Sequence, residues 1–400
     1  MMKEAFQTMV QMLEENLKEK HRAFDYFTRQ VYQKSLEAFA ENTKVVYVSG
    51  YAFPVELLWA FDVVPFDLEI ACNNLPDVMS GRGSTLMLPA ENQGFSRDIC
   101  SFHRLIISCA YENMLPKGDL CLTSNYYCHG KAKTNEIIAN YFGKQCILFD
   151  VPNEISPASI QYVSSQLRDI ATRLEEVTGK KLDMERLKDS IRSSNRARSL
   201  LEEVNELTKT KPCPWNGFES CLLGLAGALF WGSHLREEVN QMFLDEIKDR
   251  KAKKKFRQED QRILWFPWVP VQTTNINQIL RRYNVSIVMA EAGLVWWPEL
   301  DEDNPFETLA LKALQDPHVG SVDRRINNLK KCVVDYDVNG AIHFSTTVCY
   351  HENGSFHIIA SNLKEMGVPC LDLAGDMSDE RFFSPEQTEN KLIAFIEMLN

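Results

Sequence analysis

The chain has 400 residues, of which 44% are hydrophobic and 25% charged, and carries a net charge of −11. That length exceeds one typical core and makes two domains the expectation; an acidic balance with no long basic run excludes a nucleic-acid-binding face. No apolar stretch reaches the ~18 residues of a membrane span, and the acidic, helix-spaced start from Met1 does not read as a secretory leader, so a cytoplasmic protein is expected.

In chain order, residues 1–42 place Phe6, Met9, Met12, Leu13 and Leu17 on one face and predict one or two helices. Lys44-Val-Val-Tyr-Val-Ser is a β-branched strand, and Pro54 opens a helix over Val55–Phe61. Val63–Glu69 reads as a second extended segment. A third strand covers 119–124, a helix 131–142 and a fourth strand Gln145–Val151. Strands alternating with helices of this length imply a parallel sheet. Residues 157–208 are charged and helix-periodic, and Ser220–Phe230 and 233–249 continue as helices. A second α/β set follows, with strands at Arg262–Trp268, Val285–Glu291, Ala341–Thr346 and Pro369–Gly375. Its helices are expected at Thr274–Tyr283, 321–334, Ser355–Met366 and Pro385–Leu399, with Gly367 ending the third. The expected organisation is an N-terminal helical segment 1–42, a first α/β domain 43–156, a helical connector 157–260 and a second α/β domain 261–400. The fold class is α/β, with two Rossmann-like parallel-sheet domains.

Eleven cysteines, odd in number and without a Cys-x-x-Cys pair, argue for reduced thiols over a disulfide scaffold. Cys121, Cys146 and Cys370 lie inside strand runs, and Cys109, Cys221 and Cys332 on helical apolar stripes, so all six read as core. Cys72 and Cys213 stay unassigned. Cys100, Cys128 and Cys349 differ because each sits where one element ends and a helix begins. An open parallel sheet binds ligands outside its strands' carboxyl ends, and a thiolate gains there from the positive end of a helix. A soft metal site follows, with zinc and a fourth ligand among His103, His129 and His351 as one form of it and an iron–sulfur cluster as another. No Gly-x-Gly-x-x-Gly or Walker-type loop occurs, so the chain itself is not expected to hydrolyse ATP.

Val48-Ser-Gly-Tyr-Ala-Phe-Pro-Val-Glu-Leu, Asp98-Ile-Cys-Ser-Phe-His-Arg, Ser124-Asn-Tyr-Tyr-Cys, Pro214-Trp-Asn-Gly-Phe-Glu, Arg262-Ile-Leu-Trp and Gly367-Val-Pro-Cys-Leu-Asp-Leu-Ala-Gly-Asp occur in this order. With them the chain, from about Val45 onward, resembles the catalytic-component subunits of 2-hydroxyacyl-CoA dehydratases, a superfamily shared with benzoyl-CoA reductase subunits and double-cubane-cluster reductases. The resemblance implies a 4Fe-4S cluster on Cys100, Cys128 and Cys349 with one iron free of cysteine. It also implies an acyl-CoA substrate, a homologous second subunit and a separate ATP-dependent iron–sulfur activator that supplies one electron. Water then leaves an (R)-2-hydroxyacyl-CoA through a ketyl radical. Glu69 matches a carboxylate near the cluster, and Ser49 stands ready to hydrogen-bond substrate. From the residues alone Glu69 equally fits a solvated acid at a strand end, and Glu56 fits a partner of a helix dipole. Two positions depart from the pattern: His129 stands where many reductases carry aspartate after the second cysteine, and Tyr51 where a dehydratase subunit has serine. A low-potential reductase, as a benzoyl-CoA type or a homodimer with an 8Fe-9S double cubane, is the alternative; a non-catalytic metal-binding or scaffold protein is the third reading.

Overall fold

A computed structural model describes residues 1–20, 22–215, 217–270 and 275–399. Two four-stranded sheets, every pairing parallel, carry the chain. The first contains β1 (Val45–Val48), β2 (Val64–Asp67), β3 (Leu120–Ser124) and β4 (Cys146–Phe149) in the order β2-β1-β3-β4. The second contains β5 (Gln261–Phe266), β6 (Val285–Ala290), β7 (Gly340–Thr346) and β8 (Cys370–Gly375) in the order β6-β5-β7-β8. Both follow one plan: the first strand lies inside, the second goes to one side, and the third and fourth build the other. The direction in which successive strands are added therefore reverses between β1 and β3 and again between β5 and β7, the positions at which α/β sheets open a crevice.

Side-chain alternation explains why these runs form strands. Val46, Val48, Leu120 and Leu122 pack into one core, while Val45, Tyr47 and Cys121 pack into the core on the sheet's other face. Ile263, Trp265, Ile342 and Phe344 likewise oppose Leu264, Phe266 and Ala341. Each fully buried side chain of this size contributes ~1.5–3 kcal/mol over exposure, so a one-residue slip would exchange the two faces at large cost. Edge position modifies one expectation. Cys121 is buried, but Cys146 and Cys370 are only partly covered because β4 and β8 are edge strands. Cys109, Cys221 and Cys332 are core residues, as is Cys72.

Between the sheets in sequence lie helices Pro157–Thr178, Met184–Thr208, Gly217–Gly227 and His234–Ala252. Ser156 accepts the Ser159 N–H and Asp183 those of Glu185 and Arg186, satisfying first-turn donors. Gly179, at φ +69°, ends the first of these helices in the left-handed conformation. Gly367 does the same at φ +80° before β8.

The expected extended run at Val63–Glu69 is shorter in the structure. It stops at Asp67, and Leu68–Asn73 is helical, because the Asp67 carboxylate caps that helix by accepting the Ile70 N–H. The helix after Pro54 covers only Glu56–Trp59. Helices Pro76–Met79, Gly83–Asn92 and Pro305–Leu314 were not anticipated; the second contains Pro89, which breaks the usual helical signal. In the expected Thr274–Tyr283 helix, Ile276–Arg282 is observed and Thr274 lies outside the described residues. Among the described residues no helix is long and apolar enough to cross a membrane.

Candidate active site

The carboxyl ends of both sheets face one cavity. Cys100 precedes helix Ser101–Tyr111, Cys128 precedes His129–Tyr141 and Cys349 precedes Tyr350–Asn353, and each is the residue that caps its helix. All three line this cavity, together with Tyr51, Glu69, His103, Tyr127, Trp268, His351 and Glu352. Cys128 follows β3 and Cys349 follows β7, so the strand at each switch in strand order delivers a thiol. The sulfurs face backbone N–H groups of their own first turns, Phe102 for Cys100, Lys131 for Cys128, and Glu352 and His351 for Cys349. None closes a side-chain cap of full hydrogen-bond geometry.

The thiols share a cavity without meeting at a point. Among the described residues no three His, Cys, Asp or Glu side chains converge on a single metal ion. Of the histidines weighed as a fourth ligand, His129 is exposed, whereas His103 and His351 both lie on the cavity wall.

Glu69 is buried, not solvated, at 6% exposure. Asp67 explains its position: one carboxylate oxygen accepts the Ile70 N–H after β2 and the other the Gly50 N–H after β1, at 2.8 Å. That clamp sets Ser49 beside Glu69. Ser49 Oγ donates to Glu69 Oε2 at 3.2 Å, the Tyr51 hydroxyl donates to the same oxygen, and Lys131 Nζ donates to Ser49 Oγ at 3.0 Å. Lys131 lies 3.9 Å from Glu69 and 4.6 Å from the Tyr51 ring centre. His103 Nε2 stands 3.8 Å from Glu69 Oε1.

These contacts order the protons. Burial opposes ionisation of Glu69, but Lys131, His103 and the Tyr51 hydroxyl outweigh it and hold the carboxyl down at about 2. Burial likewise opposes the charged form of His103, yet Cys128 and Glu69 raise it to about 9. For Cys128, burial is outweighed by His103, which lowers the thiol below its ordinary value. Burial pushes Cys349 up to about 12 and, with the neighbouring thiols and Asp376, raises Cys100 well above the thiol range. Near neutral pH the wall holds an ionised Glu69 and a protonated His103.

The second sheet adds a separate group. Arg325 makes two hydrogen bonds to Glu291, at 2.6 and 2.7 Å, and lies 2.7 Å from Glu352. His318 bonds Asp316 at 3.0 Å and the Tyr127 hydroxyl at 3.2 Å. Arg104 joins the halves: fully buried, it bonds Asp379 at 2.9 Å and the Ile99 carbonyl next to Cys100, also at 2.9 Å. Glu56 is not a simple dipole partner. It is wholly buried and paired with Lys312 at 2.5 Å.

Glu69, Cys100, Cys128 and Cys349 thus line one cavity, and Ser49 stands behind it, hydrogen-bonded to Glu69. The roles of Lys131 and of a charged His103 were not anticipated; the local signals are Lys131 three positions after Cys128 and His103 three positions after Cys100.

The family described as 2-hydroxyglutaryl-CoA dehydratase, D-component, matches residues 51–399. The (R)-phenyllactyl-CoA dehydratase alpha subunit of Clostridium sporogenes is 26% identical over 340 residues, 80% of this chain and 81% of the relative. The (R)-2-hydroxyisocaproyl-CoA dehydratase alpha subunit of Clostridioides difficile is 22% identical over 391 residues, 92% of this chain and 93% of the relative. A benzoyl-CoA reductase subunit of Thauera aromatica is 22% identical over 382 residues, 86% of each chain.

Proposed function

We propose, since the chain belongs to the 2-hydroxyglutaryl-CoA dehydratase D-component family, that it is an iron–sulfur subunit of a 2-hydroxyacyl-CoA dehydratase. The observation that carries this reading is the meeting of Cys100, Cys128 and Cys349 on one buried cavity with an ionised carboxylate on its wall. Three thiols lining one cavity suit an iron–sulfur cluster, which Cys100, Cys128 and Cys349 would hold. Nearby backbone N–H groups suit it further, because they stabilise thiolate and sulfide charge. When bound, such a cluster supplies one-electron chemistry and an iron that polarises the thioester carbonyl.

The protein's own residues then manage protons and water. Glu69, held ionised, takes the proton from carbon 3 of the acyl chain, and protonated His103 gives one to the departing hydroxyl, which leaves as water. The two groups lie 3.8 Å apart, so a single proton shift between them restores the starting state. Ser49 and Tyr51 fix the carboxylate's orientation, and Lys131 stabilises its charge. Tyr127 and Trp268 add apolar surface to the cavity wall.

A homologous partner subunit and an ATP-dependent activator belong to the same proposal, supported by relatives that are themselves named as subunits. Similarity to the benzoyl-CoA reductase chain favours a low-potential reductase as the second reading. Anaerobic purification followed by iron and sulfide analysis tests both. Dehydration of an (R)-2-hydroxyacyl-CoA by the activated complex is the expected result. A colourless, iron-free protein prepared without oxygen sinks both readings, while net reduction of the thioester with no water lost selects the reductase.

A further inference from the structure

A basic cavity lies at the amino end of β6, lined by Val285, Ser286 and Ile287 of that strand and by none of the residues around the cysteines. Five cations, Arg22, Arg250, Lys255, Arg257 and Arg281, line it with a single carboxylate, Glu219. In a chain of net charge −11, this concentration of positive charge is a local one.

Separate segments bring the cations together. Arg22 precedes helix Ala23–Glu37, Arg250 lies in the last turn of His234–Ala252, and Arg281 lies in the last turn of Ile276–Arg282. After His234–Ala252 the chain folds back: Lys254 is at φ +49°, and the Lys255 N–H donates to the Arg250 carbonyl at 3.0 Å. That turn carries Lys255 and Arg257 to the same cavity. Helix Gly217–Gly227 starts here too, pressed against Ile287, where a Cβ on Gly217 would collide. Glu219 lies in its first turn, so the positive end of that helix dipole adds to the cations.

Little of this charge is neutralised. Arg22 meets Glu219 at 2.7 Å and Arg250 meets Glu246 at 3.2 Å, whereas among the described residues Lys255, Arg257 and Arg281 have no carboxylate within 4.0 Å. Arg281 Nε donates to Asn277 Oδ1 at 3.2 Å, which positions that guanidinium without neutralising it. Burial lowers Arg281 below the ordinary guanidinium value, and Arg257 and Arg22 add to the effect against Glu219. Like charges held this close favour an anion among them. Pro214, Leu280 and Ile287 give the same cavity an apolar floor.

We infer that this cavity is a second ligand site, separate from the cysteine cavity, and that it binds a free small molecule carrying linked phosphates, such as a nucleoside diphosphate or pyrophosphate. Lys255, Arg257 and Arg281 receive the phosphate oxygens, and arginine forks match phosphate geometry in pairs of hydrogen bonds. A carboxylate brings one negative charge to three unpaired cations, whereas two linked phosphates bring two or more. The inference does not rest on the proposed reaction, because the cysteines stand outside the carboxyl ends of the strands and this cavity at an amino end.

Calorimetric titration of the full chain, purified without oxygen and at low salt, tests this with ADP, pyrophosphate, AMP and coenzyme A. ADP and pyrophosphate are expected to bind at least ~10-fold more tightly than AMP, the worth of one further charge-assisted contact. The double variant Arg257→Gln, Arg281→Gln, altered at two exposed positions, is expected to weaken ADP and pyrophosphate ~10-fold or more. Glu219→Gln removes the one carboxylate of the wall and is expected to tighten both a few-fold, a gain that a damaged fold would not give. Tighter binding of ADP than of pyrophosphate identifies a nucleotide seated on the apolar floor; equal binding identifies the phosphates alone. AMP binding as tightly as ADP, or affinities unchanged in the double variant, overturns the inference. So does binding of coenzyme A alone, since the cavity would then hold only a substrate's own phosphates, and so does failure of all four to bind.

Discussion

The two walls of the cysteine cavity both bury charge, but they arrange it differently. On the first-sheet wall Glu69 meets two cations, Lys131 and His103, neither of which is held in place by another carboxylate within 4.0 Å among the described residues. On the second-sheet wall one guanidinium, Arg325, is gripped by two carboxylates, Glu291 and Glu352. The first arrangement leaves protons that can move: an imidazolium, a carboxylate and a thiol of lowered pKa lie in sequence from Glu69 through His103 to Cys128. The second holds its charges fixed, with Glu352 at about 2 and Cys349 at about 12. One wall is suited to chemistry and the other to holding its shape.

The largest test of that contrast is loss of the thiols. Cys100→Ser, Cys128→Ser and Cys349→Ser should each abolish bound iron, measured per chain after anaerobic purification; a mutant that keeps full iron would remove its cysteine from the ligand set. Glu69→Gln comes next, with turnover at saturating substrate expected to fall ~10²–10⁴-fold while iron content is kept. An unchanged turnover would shift the base to another group. Arg325→Met strands the buried Glu291, leaves Glu352 only His318 at 3.6 Å, and should cost ~3–5 kcal/mol, read from denaturant unfolding. If its loss lowered turnover as steeply as Glu69→Gln without affecting stability, the division between working and bracing walls would be wrong.

The smallest effect is in pH. His103 has a folded-state pKa of about 9 against an ordinary 6.5, so its stabilisation is complete below pH 6.5 and is lost as pH rises toward 9. Glu69, at about 2, keeps its contribution throughout that interval. Wild-type stability should therefore decline between pH 6.5 and 9 relative to His103→Gln, by thermal unfolding across that range. Parallel curves would mean that His103 carries no extra proton.

Much of this could be read from the chain, because strands and helix starts are local. Val45–Val48 and Leu120–Ser124 announce themselves by β-branched and apolar runs, and each of the three cysteines is marked by the helix that follows it. Pairings between distant charges leave no such mark. Glu56 and Lys312 are 256 positions apart and look like ordinary surface residues until folding buries both. Glu69 follows a short apolar strand, and nothing nearby announces Lys131 or His103 as partners. Partial exposure of Cys146 and Cys370 was equally hidden, since a strand's position at the edge is decided by sheet order.

The placement of the three cysteines also dictates an order of assembly. Cys100 and Cys128 belong to helices packed on the first sheet, Cys349 to a helix that follows β7 in the second. A prosthetic group requiring all of them has no complete cradle in a half-folded chain. It cannot act as a folding nucleus in the manner of zinc in a zinc finger. Under the proposed function such a group would enter a finished architecture and act as a late fastener, raising resistance to unfolding by mass action without guiding the polypeptide to its shape.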